Sequence, residues 1–71
     1  MKINDVRELT DEELAAELSR LRRHLFDLRS QAVTEKLEDA SMLRKAKGDI
    51  ARILTVMRER EQAAEQAAAG Q

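Results

Sequence analysis

From Leu14 onward, apolar residues return at alternating intervals of four and three: Leu14, Leu18, Leu21, Leu25, Leu28 and Ala32. Those intervals keep the side chains on one stripe of an α-helix, so the spacing predicts a long helix with a narrow packing seam. Thr10 followed by Asp11, Glu12 and Glu13 reads as a capping box at its start, and the acids suit the positive end of the helix dipole. The helix is expected from about Asp11 to about Val33. Ahead of it, Asn4 is expected to cap a short turn running through Val6 and Leu9. Thr34 to Asp39 is polar except for Leu37 and has the length of a connection between antiparallel helices. Asp39 or Ser41 then caps a second helix, whose seam is Leu43, Ala46, Ile50, Ile53, Leu54 and Met57. That helix should run from about Ala40 past Arg60. The tail from Glu61 to Gln71 is rich in alanine and is expected to stay helical for a turn or more and then fray.

The expected architecture is all-α: two long antiparallel helices forming a hairpin, with a short N-terminal helical turn. Residues 1–60 make the hairpin domain and residues 61–71 an alanine-rich helical extension. A hairpin buries one seam, much less than a three- or four-helix bundle, so it calls for a partner. The same leucines would also serve self-association, and periodicity does not separate the two.

Composition supports this reading. The 71 residues include no proline, two glycines and one aromatic, so helix has little competition. With no cysteine and a lone His24, no disulfide framework, thiolate site or paired-imidazole metal site is available, and neither metal nor other cofactor is expected. No apolar run approaches the roughly 20 residues of a bilayer span, and the opening residues lead into acids instead of a signal-peptide core. A cytoplasmic protein with no membrane partner is expected. The net charge of −1 conceals a segregation. Residues 1–19 hold six acids against two bases, whereas residues 20–60 hold eleven bases against six acids.

No nucleophile with its base, phosphate-binding glycine loop or pair of facing carboxylates is present, so neither an enzyme nor a small-molecule substrate is expected. The second helix carries the stronger functional signal. At about 100° per residue, Ser41, Arg44, Lys45, Lys47, Arg52, Thr55 and Arg58 fall in one arc opposite the seam. Glu59 is the only acid within that arc, and Asp49 lies just outside it. Gly48 and Ala51 are interleaved with the cations and would let a phosphodiester backbone approach closely. Arginine and lysine neutralise phosphates, and hydroxyls add bonds that position without reading sequence. The plainer alternative is a solvated helix face. His24, off the seam beside Arg22 and Arg23, is either a solvated surface histidine or a polar contact to RNA. Phe26 sits about 120° from the seam, as does Val33. The aromatic either folds under the loop or the N-terminal turn, or anchors another protein or an RNA groove.

At Leu25-Phe26-Asp27-Leu28-Arg29-Ser30-Gln31, at Leu37-Glu38-Asp39 and at Asp49-Ile50-Ala51-Arg52-Ile53-Leu54-Thr55-Val56-Met57-Arg58-Glu59-Arg60, the chain resembles the bacterial large-subunit ribosomal protein twenty-nine family. Met1-Lys2, Arg7-Glu8-Leu9 and Glu13-Leu14 fit the same pattern, which covers about residues 1–60. The resemblance implies a non-enzymatic structural constituent of the ribosome. Two antiparallel helices would lie against large-subunit ribosomal RNA near the nascent-chain exit, beside another tunnel-exit protein. By position it implies RNA contacts at Arg29 and Gln31, and at Ile50-Ala51-Arg52 through Thr55 and Arg58. Two departures stand out: Ser30 occupies a place where the family usually has an aromatic, and Leu43 to Gly48 carries fewer arginines. A different class, a cytoplasmic coiled-coil adaptor that binds a helical protein and no nucleic acid, would use the same seams. The two differ over what covers Arg44, Lys45, Lys47, Arg52 and Arg58.

Overall fold

A computed structural model describes residues 1–69 and contains three helices in chain order: α1 (Ile3–Arg7), α2 (Asp11–Val33) and α3 (Ser41–Ala69). α2 and α3 pack antiparallel as a hairpin, and α1 folds back onto α3. The rod measures 55 × 18 × 16 Å. No helix among the described residues is long and apolar enough to cross a membrane.

α2 begins and ends where the pattern predicts. The Thr10 hydroxyl accepts from the Glu13 N–H at 3.1 Å, and the Glu13 carboxylate accepts from the Thr10 N–H at 3.4 Å, which completes the capping box. At the other end Glu35 adopts φ 62°, the Lys36 N–H reaches the Gln31 carbonyl at 2.9 Å, and the Glu35 N–H reaches that of Ala32 at 3.2 Å. This pair of bonds is a Schellman stop, with a glutamate where glycine is usual. α3 is capped by Asp39, whose Oδ1 accepts from the Ser41 N–H at 2.9 Å. The Ser41 hydroxyl and then its N–H hold the Asp39 carboxyl below the usual aspartate range.

Asn4 does not cap the first turn. The helix starts two residues earlier than the sequence suggests, with extended Lys2 at the cap position and no side-chain bond there. The Lys2 carbonyl accepts from the Asp5 and Val6 N–H groups at 3.1 and 3.2 Å, so α1 closes on its backbone alone. Five residues cannot sustain a helix in water by themselves. Burial of Val6, 0 % exposed, holds it in place.

The core joins Val6 of α1, Leu14, Leu18 and Leu21 of α2, and Ile53 and Val56 of α3, with Ile3, Leu9, Ile50 and Met57 packed around them. Leu28 and Ala46 are also buried. Two expected seam positions are exposed, and four more, Leu25, Leu43, Ile50 and Met57, are half-buried. Leu54 is 42 % exposed while Val56, outside the expected seam, is 1 % exposed. The reason is α1, which covers the Val56 flank of α3 and leaves the Leu54 flank open. Ala32 is exposed as well. Leu14 lies beside Met57, and Leu21 beside Ala46, and this antiparallel register sets Ala32 opposite the connection, where no helix turn faces it.

α3 continues unbroken to Ala69, with residues 61–69 exposed, so the tail is helical for more than two turns. The fraying expected beyond it concerns Gly70 and Gln71, which lie outside the described residues.

Candidate nucleic-acid interface

On α3 the structure sets Arg44, Lys45, Lys47, Arg52, Thr55 and Arg58 at exposed positions, with Ser41 half-buried in the first turn. Helical periodicity places Arg44, Lys47, Thr55 and Arg58 on the side away from Ile53 and Ser41, Lys45 and Arg52 on one flank, so the arc runs from the outer face of α3 to the edge that faces α2. Arg44, Lys45, Lys47 and Arg58 have no ion-pair partner among the described residues. Arg52 pairs with Asp49 at 3.3 Å, one turn away on the same helix. An exposed pair of this kind is worth only about 0.3–0.5 kcal/mol, so a phosphate can take the guanidinium at little cost.

The hydroxyls are less available than the cations. Thr55 donates to the Ala51 carbonyl at 2.8 Å. Ser41 bonds to Asp39. Either would have to break a local bond before donating to a phosphate. Gly48 contributes space: a Cβ there would lie 3.0 Å from Nη1 of Arg52, so the guanidinium folds over the bare backbone.

Arg29 and Gln31 are exposed near the loop end of α2, on the other helix, and make no side-chain bond to the arc. The Gln31 carbonyl is taken up by the α2 stop, accepting from the Lys36 N–H and from the Thr34 hydroxyl. Phe26 is 69 % exposed and Val33 84 % exposed. The aromatic is tucked under neither the loop nor the N-terminal turn. Both residues are open to touch another molecule.

Two features escaped the sequence. Arg20 and His24 of α2 lie across from Met42, Lys45 and Asp49 of α3 around a shallow depression, whose floor includes Leu21 and Ala46. Only the helix-to-helix register brings them together; the nearby run Arg20, Arg22, Arg23, His24 was the available signal. Arg60 is not a free cation, because it bonds to Asp11 and to two backbone carbonyls of the first turn. Among the described residues no three His, Cys, Asp or Glu side chains gather where they could hold a metal ion.

An elongated hairpin with one uncovered cationic face suits either an RNA-bound protein or an adaptor. The profile of the Ribosomal L29 protein family matches residues 4–60, the hairpin together with most of α1. The chain belongs to the ribosomal L29 protein family. It is 51 % identical over 61 residues to the large ribosomal subunit protein uL29 of Caldicellulosiruptor bescii, covering 86 % of this chain and 85 % of that one. To the uL29 of Petrotoga mobilis it is 49 % identical over 61 residues, covering 86 % and 92 %. To that of Streptomyces avermitilis it is 52 % identical over 60 residues, covering 84 % and 81 %. Membership in the L29 family decides against the free adaptor. The family match stops at Arg60, and the structure gives the boundary a physical sense, since residues 61–69 lie beyond the point where α2 begins and pack little against it.

Proposed function

We propose that this chain is a structural constituent of the large ribosomal subunit in the cytoplasm, holding ribosomal RNA through the outer face of α3. The observation that carries the reading is the arc of Arg44, Lys45, Lys47, Arg52 and Arg58 on a member of the L29 family, exposed along its whole length. These cations act on phosphate charge, so they fix the hairpin on RNA without a base code. Arg29 and Gln31 extend the interface at the loop end, and Ser41 and Thr55 supply hydroxyl oxygens beside it. As the family resemblance implies, this interface would lie near the tunnel exit, where Phe26 and Val33 would give a neighbouring tunnel-exit ribosomal protein an apolar foothold. The role is architectural and calls for no catalysis, small-molecule substrate or cofactor.

The experiment is co-sedimentation of the tagged chain with ribosomal subunits in a cell lysate at moderate salt. The protein is expected in the large-subunit fraction. Recovery wholly in the free-protein fraction, with correctly folded chain, would overturn the proposal.

A further inference from the structure

We infer that the RNA backbone does not run along α3 alone but crosses the hairpin through a two-helix trough walled by Arg20 and His24 of α2 and by Lys45, Arg44 and Arg52 of α3. The inference rests on the proposed RNA-binding function and extends it to the first long helix. Two adjoining depressions compose the trough. One, of about 200 Å³, is lined by Arg20, Leu21, His24, Met42, Lys45, Ala46 and Asp49. The other is lined by Met1, Arg44, Lys45, Gly48, Asp49 and Arg52. They share Lys45 and Asp49, so they adjoin, and a strand laid from α2 to the outer face of α3 passes over these two side chains.

Three properties make the path suit a phosphodiester strand. First, α1 covers this flank of the hairpin only over the core, and Met1 marks the edge of the cover, since it lines this trough and also the depression around Val6. Beyond that edge the space between the helices is open. Second, the floor includes Ala46 and Gly48, small enough to leave room, while the walls carry long cations. Third, the cations are held only by exchangeable partners. Arg20 pairs with Glu17 one turn away, and Arg52 pairs with Asp49 at 3.3 Å. Lys45 and Arg44 have no ion pair among the described residues. A phosphate entering the trough meets guanidinium groups whose present bonds are solvent-exposed and weak, and so readily exchanged. Asp49 is the one acid on the floor among the described residues, and when a phosphate takes Arg52 the Met1 amino group at 3.6 Å still offsets its charge.

The test compares three chains on a transcript of large-subunit ribosomal RNA: the parent, Arg20→Gln with His24→Gln, and Arg20→Lys. Binding along α3 alone requires the α2 double variant to bind as the parent does. Passage through the trough requires about a five- to tenfold weakening at moderate salt. It also requires a slope of log affinity against log salt shallower by about 0.7–0.9 for each phosphate no longer neutralised. Arg20→Lys keeps the charge but not the guanidinium fork to Glu17, and it should retain most of the affinity and the full slope. Arg20 is solvent-facing, so circular dichroism of both variants should match the parent. Unchanged affinity and slope in the folded double variant, while the parent binds, would overturn the trough and leave the α3 reading standing. Failure of the parent to bind the transcript would overturn both. Equally tight binding of polyglutamate to the parent, competitive with the transcript and abolished in the double variant, would assign the trough to an acidic protein and overturn the inference.

Discussion

Arg60, late in α3, donates from Nη1 to Oδ1 of Asp11 at 2.7 Å, across 49 residues of chain. Its Nη2 reaches the Leu9 carbonyl at 2.5 Å and the Arg7 carbonyl at 3.1 Å. One guanidinium therefore satisfies the carbonyls left over where α1 ends and also grips the first residue of α2. Arg7 and Glu59, 3.1 Å apart, brace the same corner.

Replacing Arg60 with Ala should lower stability by about 1–2 kcal/mol, because bonds from a charged donor are worth about 1.5–3 kcal/mol and this side chain is partly exposed. Amide exchange at Val6 and Leu9 should accelerate more than at Ile53, since the corner opens before the hairpin. Arg60→Lys should recover only part of the stability, its single ammonium being unable to reach all three acceptors. Protection of Val6 unchanged in Arg60→Ala would show that apolar burial alone holds α1.

Core truncation should follow burial and not side-chain size. Ile53, 0 % exposed at the meeting of all three helices, should cost about 2–5 kcal/mol as Ile53→Ala, toward the low end in so thin a core. Phe26→Ala should change stability by no more than about 0.5 kcal/mol, because the ring is 69 % exposed. Thermal melts read by circular dichroism decide the order. A larger destabilisation from Phe26→Ala than from Ile53→Ala would place the aromatic in the core.

Much of this fold is legible because it is written locally. The Thr10 and Glu13 box, the stripe from Leu14 to Leu28 and the Asp39 cap depend on residues within a turn or so of one another, and the structure reproduces them. The exposure of Leu54 and the burial of Val56 are not legible, because they depend on α1, five residues that pack from a distance of some fifty along the chain. A two-helix seam has no means of announcing a third element on one flank. The outer arc of α3 is as legible as the cap, since one helix carries nearly all of it. The placing of Arg20 opposite Lys45 across the trough is not, because it depends on the register between two helices and no local pattern encodes that.

Glu35 holds φ 62° to end α2, a conformation that costs a residue with a Cβ about 1–2 kcal/mol and glycine almost nothing. Glu35→Gly should keep the bonds from the Lys36 N–H to Gln31 and from the residue 35 N–H to Ala32 while removing that strain. Stability should rise by about 0.5–1 kcal/mol after the greater freedom of the unfolded chain is counted. A lower melting temperature would mean that the Glu35 side chain makes an interaction worth more than the strain.

Gly48 offers the opposite trade. An alanine there gains about 1 kcal/mol of helix propensity, and its Cβ meets only the tip of Arg52, which can swing aside. Gly48→Ala should therefore melt higher than the parent, yet bind large-subunit ribosomal RNA more weakly, since the methyl group fills the gap where a backbone would pass and displaces a cation. A variant that is both more stable and equally tight would remove any role for the bare backbone in binding.

The arc itself is tested by replacing Arg44, Lys47, Arg52 and Arg58 together with Gln, which keeps helix propensity and removes four cations. All four are exposed, and among the described residues the only ion pair broken is the weak one between Arg52 and Asp49, so circular dichroism and the melting temperature should match the parent's. Affinity for large-subunit ribosomal RNA should fall for every transcript that the parent binds, because phosphate contacts carry no sequence preference. The slope of log affinity against log salt should flatten by about 0.7–0.9 for each phosphate no longer neutralised, which sets a ceiling of about 3.5 units if all four cations touch phosphate. A smaller change would count how many do. The effect of the Arg20 and His24 variant should add to that of the quadruple variant if the strand crosses the trough, since the two sets then engage different phosphates of one backbone. A folded quadruple variant with the parent's affinity and slope would take the RNA off α3 altogether and leave α2, with Arg20, Arg22, Arg23 and Arg29, as the helix that meets it.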